Sequence, residues 1–239
     1  LYMYKNNLEE RVAEQTSVIS EQYNLLKHQA DQLAKSNVSI IEILGTIVEY
    51  RNLESGEHIQ RVKSYTRILG EQLMEDYPEY NLTSKQLNVI VSASALHDVG
   101  KIAIPDSILL KPGRLTKEEF EYMKEHTTKG CEIINNIRGV WSEEYARASY
   151  EICRHHHERY DGRGYPDGLL GENIPISAQL VAVADVYDAL VNERVYKSAF
   201  SADKAFNMII NGECGTFSPK LMDCFTKCRD RFESLAGEQ

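Results

Sequence analysis

Long apolar runs are missing from this 239-residue chain. None reaches the ~18 residues that a membrane-spanning helix needs. The start, Leu1-Tyr2-Met3-Tyr4-Lys5, carries no secretory signal pattern. It also lacks an initiator Met, so the chain is expected to be a fragment of a longer protein. A cytoplasmic location is expected, with any membrane anchor left to the upstream part. Cysteine is sparse: Cys131, Cys153, Cys214, Cys224 and Cys228 are odd in number and form no CxxC. Cys224 and Cys228 share a helical face, but no second pair completes a thiolate zinc site. Reduced, partly buried thiols are the expected state. Asn37-Val38-Ser39 and Asn81-Leu82-Thr83 match the glycosylation acceptor by pattern, and without a signal peptide both read as chance. Positive charge is in deficit, with a formal net charge of -9. No basic stripe is available for a general nucleic-acid surface, so DNA or RNA binding is not expected. A small anionic substrate remains compatible if local cations, metal or Lys/Arg, hold it against the overall field. Alternating strand patterns are absent too, which makes the expected fold all-α.

What is present is an ordinary globular composition, 42% hydrophobic and 26% charged, in a chain long enough for one or two domains. Residues 1–38 are polar and free of Pro and Gly. Val12, Ile19, Leu26, Leu33 and Ile40 recur every seven residues, one seam of a coiled coil. Gln15, Gln22, Gln29 and Ser36 occupy the companion seam, and such polar layers weaken a dimer while fixing its register. A homodimerising helix that relays motion from an upstream sensor or receiver domain is the functional reading. A passive stalk or an exposed linker is the plainer one. From Val38 onward apolar residues cover much of the helix circumference, as where a helix joins a core. The boundary is therefore placed between a signalling helix, 1–38, and a folded domain, 39–239, with the helix continuing unbroken across it.

Within the domain, Glu54-Ser55-Gly56-Glu57-His58 opens a helix. Glu54 and His58 are four apart and point the same way if the turn stays helical, which Gly56 makes conditional. Thr83-Ser84-Lys85-Gln86 starts a second helix, expected to be central, that ends in His97-Asp98-Val99-Gly100-Lys101. Gly100 fits a C-terminal cap that turns Lys101 back over the same place. Thr116-Lys117-Glu118-Glu119 begins a helix carrying Phe120, Met123 and His126. Helices over about 128–138 and 142–158 lead to Cys153-Arg154-His155-His156-His157-Glu158, where three of the seven histidines stand together. The Gly/Pro-rich loop Asp161 to Pro175 needs unusual backbone angles. Asp185 and Asp188 lie in an apolar helix from 176 to 190, and helices over about 201–211 and 218–235 complete the chain.

A buried Asp is costly unless paired or metal-bound, so the His and Asp residues at the edges of apolar segments point to metal ions. A capping Asp beside a packed His is the bland alternative for His97-Asp98. Neighbours such as His97-Asp98 or His156-His157 project about 100° apart on a helix and can reach two adjacent metals. Imidazole and carboxylate without thiolate favour Fe or Mn, with Zn or Ni possible. Two such ions suit phosphodiester hydrolysis by metal-activated hydroxide attack on phosphorus. Lys101, Arg194 and Lys197 are candidates to hold phosphates, although sequence chemistry alone favours solvated surface charge for Arg194 and Lys197.

His97-Asp98-Val99-Gly100-Lys101 followed by His156-His157-Glu158-Arg159-Tyr160-Asp161-Gly162-Arg163-Gly164-Tyr165-Pro166 resembles the HD-GYP family of bacterial signalling phosphodiesterases, part of the HD superfamily. The resemblance covers about residues 40–235. It implies an HD-superfamily helical bundle, here behind a coiled-coil helix. It implies metal ligands at His97, Asp98, His126, His156, His157 and Asp185, with Glu54 and His58 holding a third ion where present. It implies catalytic roles for Asp98 and Lys101, and substrate contacts from Lys101, Arg194 and Lys197. The implied activity is hydrolysis of cyclic di-GMP to pGpG, in competent members onward to GMP. The loop Gly164-Tyr165-Pro166 is linked in the family to contacts with diguanylate cyclase (GGDEF) domains. His155 has no counterpart among the family ligands. Two departures stand out: His126-Thr127 replaces the usual His-Pro, expected to change the helix start without losing a metal, and Arg51-Asn52 replaces Arg-Asp. A cyclic dinucleotide sensor with little turnover, or a phosphodiesterase for 3′,3′-cyclic GMP-AMP, are the alternatives.

Overall fold

A computed structural model describes residues 2–51, 57–136, 141–193 and 199–237. Among these residues the chain is helical, with no strand and an isolated bridge between Asp161 and Leu170. It divides into two compact units, Leu1–Ile41 and Glu42–Gln239. The first unit is part of one helix, α1 (Tyr2–Arg51). There Val12, Ile19, Leu26, Leu33 and Ile40 all remain exposed, so the heptad seam buries nothing within the described chain. Among the described residues no helix is long and apolar enough to cross a membrane, and the five cysteines are free thiols.

The second unit is a bundle whose helices start where side-chain chemistry tells them to. After α2 (Glu57–Asp76) come α3 (Ser84–Ala93), the one-turn α4 (Asp106–Leu109) and α5 (Lys117–Lys124). Thr83 and Gln86 close a capping box on α3, and Thr116 and Glu119 close another on α5. Each satisfies two backbone donors that a helix start would leave orphaned. Next are α6 (His126–Asn136), α7 (Glu143–His155), α8 (Ile176–Val191), α9 (Ala202–Ile210), α10 (Pro219–Lys227) and α11 (Arg229–Gly237). The helix expected over 218–235 is thus two. The chain bends at Cys228, φ −87° and ψ 4°, whose thiol lies 3.7 Å from the Ile68 carbonyl of α2.

The central element is α8, not the 87–96 helix. Eleven of its residues are buried, including Leu180, Val181, Val183 and Ala184. An aromatic cluster fixes it against α2, α10 and α11. Tyr65 stacks on Phe232 at 4.7 Å between centroids, and Tyr187 meets Tyr65 and Phe232 edge-on at 5.1 Å each. Offset and edge-to-face rings contribute beyond their buried area, which locks the register of α8 on α2. That register decides which carboxylates of α8 face the histidine of α2.

Candidate metal centre

Three local corrections shape this centre. First, α3 stops at Ala93, and the chain reaches His97-Asp98 through a tighter turn, Ser94–Leu96, then continues in another, Val99–Ala103. Gly100 is therefore no left-handed cap; its φ is not among the positive values of this chain. It is there because a Cβ would sit 2.8 Å from the His126 carbonyl carbon and 2.5 Å from the Gly130 nitrogen. Lys101 still turns back over Asp98, Nζ to Oδ2 2.6 Å, by the tight turn. Second, α5 ends at Lys124, so His126 opens α6. The Thr127 hydroxyl ties the two helices across this break, donating to the Lys124 carbonyl of α5 at 2.9 Å. Third, α7 ends at His155, leaving His156 and His157 just past the last helical turn.

The structure gathers the remaining side chains in two groups. Asp98, His126, His156 and His157 each offer one ligand atom within 4.8 Å of one another; so do Glu49, His58 and His97. The adjacent residues His97 and Asp98 thus serve different groups. The Asp98 carboxylate is split accordingly. Its Oδ1 lies 3.2 Å from His126 Nε2 and 3.7 Å from His156 Nε2. Its Oδ2 lies 3.3 Å from His97 Nε2 and beside Lys101. Asp185 Oδ1 adjoins the second group, 3.7 Å from His58 Nε2 and 3.8 Å from His97 Nε2.

Four rings are oriented alike. The Nδ1 of His97, His126 and His156 faces a backbone carbonyl, of Ser94, Met123 and Ile152, at 2.9, 2.9 and 3.0 Å. His58 Nδ1 faces Asp188 Oδ2 at 2.7 Å. With Nδ1 as the donor, Nε2 is left to point inward, the arrangement by which proteins orient imidazole ligands. The buried Nε2 atoms of His58 and His97, and Asp98 Oδ1, make no hydrogen bond. Each such buried atom costs about 1–3 kcal/mol unless a partner is supplied. Divalent cations satisfy all of them together, and imidazole with carboxylate is a suitable donor set for first-row metals. The residues fit metal ions.

The electrostatics agree. Burial disfavours the charged form of His97, but Asp98 and Asp185 outweigh it and hold its pKa up to about 10. The same negative field draws a metal cation. Burial likewise opposes charging of His58, yet Asp188, Asp185 and Glu49 raise its pKa. Burial would raise Asp98, but Lys101 and His97 keep it well below the usual carboxylate range. Burial, with the neighbouring His156, pulls His126 down to about 4 and His157 well down as well. In the metal-free protein His126 contributes stability that is present above pH 6.5 and lost as pH falls towards about 4. His97 contributes stability that is complete below pH 6.5 and lost as pH rises towards about 10. Thermal unfolding in chelator is therefore expected to show a maximum Tm close to pH 6.5 with a fall on both sides. A monotonic profile would contradict this pairing of neutral and charged histidines.

The loop Gly164-Tyr165-Pro166 covers one edge. The Tyr165 ring lies 4.8 Å from the His157 ring, and its N–H donates to the His157 carbonyl at 3.3 Å. Glu158 clamps the loop by accepting the N–H groups of Asp167, Gly168 and Leu169 at 2.8, 3.1 and 2.9 Å. Arg154 pairs with Asp167 through two 2.7 Å bonds. His155, 3.6 Å from Asp167, belongs to this loop support and stands apart from both ligand groups.

Of the sequence candidates, the structure brings together His58, His97, Asp98, Lys101, His126, His156, His157 and Asp185. Glu54, Arg194 and Lys197, like Asn52, lie outside the described residues. Sequence reasoning missed Glu49, Arg51 and Asp188. Glu49 follows Gly45 and Val48 on the buried face of α1, so a lone carboxylate on an apolar stripe was the signal. Arg51 donates to the carbonyls of Lys101, Ile102 and Ile104 at 2.9, 2.7 and 2.7 Å, holding the turn that carries Lys101. Asp188 binds Arg61 Nε at 2.6 Å as well as His58, so it positions that ring rather than joining the ligands.

Known proteins are similar to this chain. A family model described as HD domain matches residues 22–221. A cyclic di-GMP phosphodiesterase of Vibrio cholerae is 42% identical, over 84% of this chain and 41% of its own length. A 3′3′-cGAMP-specific phosphodiesterase of the same organism is 37% identical, over 85% of this chain and 37% of its own. The chain thus spans about two fifths of these relatives. The crystal structure of a cyclic GMP-AMP specific phosphodiesterase from V. cholerae superimposes with TM-score 0.57 at 19% identity, over 82% of this chain and 50% of that one, a shared fold. With its motifs, its helical bundle and these matches, the chain belongs to the HD-domain family, in the HD-GYP branch.

Proposed function

We propose that this chain is a metal-dependent phosphodiesterase that hydrolyses cyclic di-GMP to pGpG, with GMP as the product of a second cleavage. The observation that carries the reading is the divided Asp98 carboxylate, one oxygen facing each ligand group. Asp98, His126, His156 and His157 would hold one ion, and His58, His97 and Asp185 would contribute to a neighbouring one. A third ion would take Glu54 and draw His58 away from the second. When bound, two or three divalent ions, Fe or Mn in preference to Zn or Ni, supply Lewis acidity and a water of lowered pKa. Asp98 holds the Lys101 ammonium beside the centre, where it offsets phosphate charge. Arg51 fixes the backbone of that turn. Arg194 and Lys197 would hold the remaining phosphate or the bases, and Tyr165 restricts access over His157.

Around this chemistry we assign residues 1–38 to signalling and 39–239 to catalysis. The exposed seam from Val12 to Ile40 supports a homodimer. An upstream sensor or receiver, a GGDEF partner at the Gly164-Tyr165-Pro166 loop and a cytoplasmic location complete the proposal. The cGAMP-specific relative favours 3′,3′-cyclic GMP-AMP as the second substrate to try. Protein loaded anaerobically with Fe²⁺ or Mn²⁺ is expected to convert cyclic di-GMP to pGpG or GMP, separated by chromatography. Cleavage of cyclic GMP-AMP alone would replace the substrate. Cleavage of neither by fully metallated protein would replace the activity.

A further inference from the structure

We infer that Glu49 is a ligand of the metal that His58 and His97 hold, an inference that rests on the metal-dependent reading above. Glu49 is only 1% exposed, at the last turn of α1. Its carboxylate oxygen lies within 4.8 Å of a ring nitrogen of each histidine, and those nitrogens are likewise mutually within 4.8 Å. Both rings are turned towards this point by anchors on their far side, Asp188 for His58 and the Ser94 carbonyl for His97. The Asp188 anchor is itself held by Arg61, Nε to Oδ1 2.6 Å. The inward Nε2 atoms of both rings have no hydrogen-bond partner. Two imidazoles whose free nitrogens face one buried carboxylate, with Asp185 Oδ1 3.7 and 3.8 Å from them, make a nitrogen–oxygen donor set for one ion.

The three ligands come from three different parts of the chain: α1, α2 and the turn after α3. Sequence spacing selected Glu54 because it stands four residues before His58. That argument needs a continuous helical turn from Glu54 to His58, and Glu54 lies outside the described residues. Glu49 requires no such turn, because packing of α1 brings it to the site: a Cβ on Gly45 would lie 2.7 Å from the Ile59 side chain. Glu49 also places a metal ligand on the same helix that carries the exposed heptad seam. Occupancy of this metal thereby ties the last turn of α1 to His97.

The test uses the whole chain, loaded anaerobically with Mn²⁺ or Fe²⁺, desalted, and assayed for metal per chain and for the rise in Tm over chelated protein. Glu49→Gln, nearly the same shape, is expected to lose about one ion per chain and part of the metal-induced Tm rise. Glu49→His, which exchanges one ligand for another, is expected to restore the count. A Glu49→Gln protein with wild-type metal content and an undiminished Tm rise would overturn the inference while leaving the phosphodiesterase reading standing. A Glu49 that merely packs would lower the Tm of chelated protein with metal content unchanged, and that result would overturn it equally. If Glu49→Gln fails to fold, Glu49→Leu, which buries no polar group, is measured in its place: loss of about one ion per folded chain supports ligation, and full metal content refutes it. Wild-type protein that retains no metal would remove both this inference and the proposed function.

Discussion

Replacing Asp98 by Asn is expected to lower the proposed cyclic di-GMP turnover by at least about 10²–10³-fold, because the proposed centre would lose both a shared ligand and its negative charge. Asn is chosen because it keeps the shape. Asp98 is 7% exposed and its Oδ2 is the counter-ion of Lys101 at 2.6 Å. Its charge also contributes to the proton affinity of His97. Removing the side chain outright leaves that lysine buried without this charge, which costs about 3–5 kcal/mol for a buried pair. Asp98→Ala would therefore mix loss of fold with loss of function. In Asp98→Asn the loss of turnover should come with reduced metal content, since one oxygen of Asp98 faces each ligand group. Turnover and metal at wild-type levels would remove Asp98 from the centre and, with it, the two-ion reading.

The second large effect is expected from one methyl group. Gly100→Ala should destabilise the protein by about 3 kcal/mol or more, at the severe end of overpacking. The added Cβ meets backbone, not a side-chain tip: the carbonyl of His126 and the nitrogen of Gly130. The approach is reciprocal, since a Cβ on Gly130 would stand 3.1 Å from the Gly100 nitrogen and also run into the Cys153 thiol. Relief requires α6 to move away from the turn after Asp98. That motion would pull His126 from its 3.2 Å approach to Asp98 Oδ1. Thermal unfolding and metal content should therefore fall together. A Gly100→Ala protein with unchanged Tm and full metal would show that α6 gives way without cost.

What the sequence determined by itself was what depends on neighbours along the chain. The all-helical character, the starts of α3 and α5, and the separation of a polar helix from an apolar domain follow from periodicity and capping chemistry. Those interactions close within one or two turns and need no tertiary partner. The motif His97-Asp98 and the triplet ending in His157 were legible for a related reason. Buried imidazoles and carboxylates in apolar surroundings demand a partner wherever they occur.

Tertiary structure decided everything that requires two distant segments to meet. Gly100 looked like a cap because its local context is a helix end; only the approach of α6 shows that the absence of a side chain is what matters. His126 was placed on the preceding helix because nothing local marks the break at Glu125, where the Thr127 hydroxyl donates back to the Lys124 carbonyl at the end of α5. Asp188 and Asp185 lie three residues apart on one helix, and the sequence cannot divide their roles. The aromatic packing of α8 on α2 does, turning Asp188 to His58 Nδ1 and Asp185 to the inward side. Glu49 stands nine residues from His58 and forty-eight from His97 in the sequence, so no spacing rule could join them. The burial of one face of α1 brings its carboxylate to them, a long-range choice made by packing energy that local propensity does not contain.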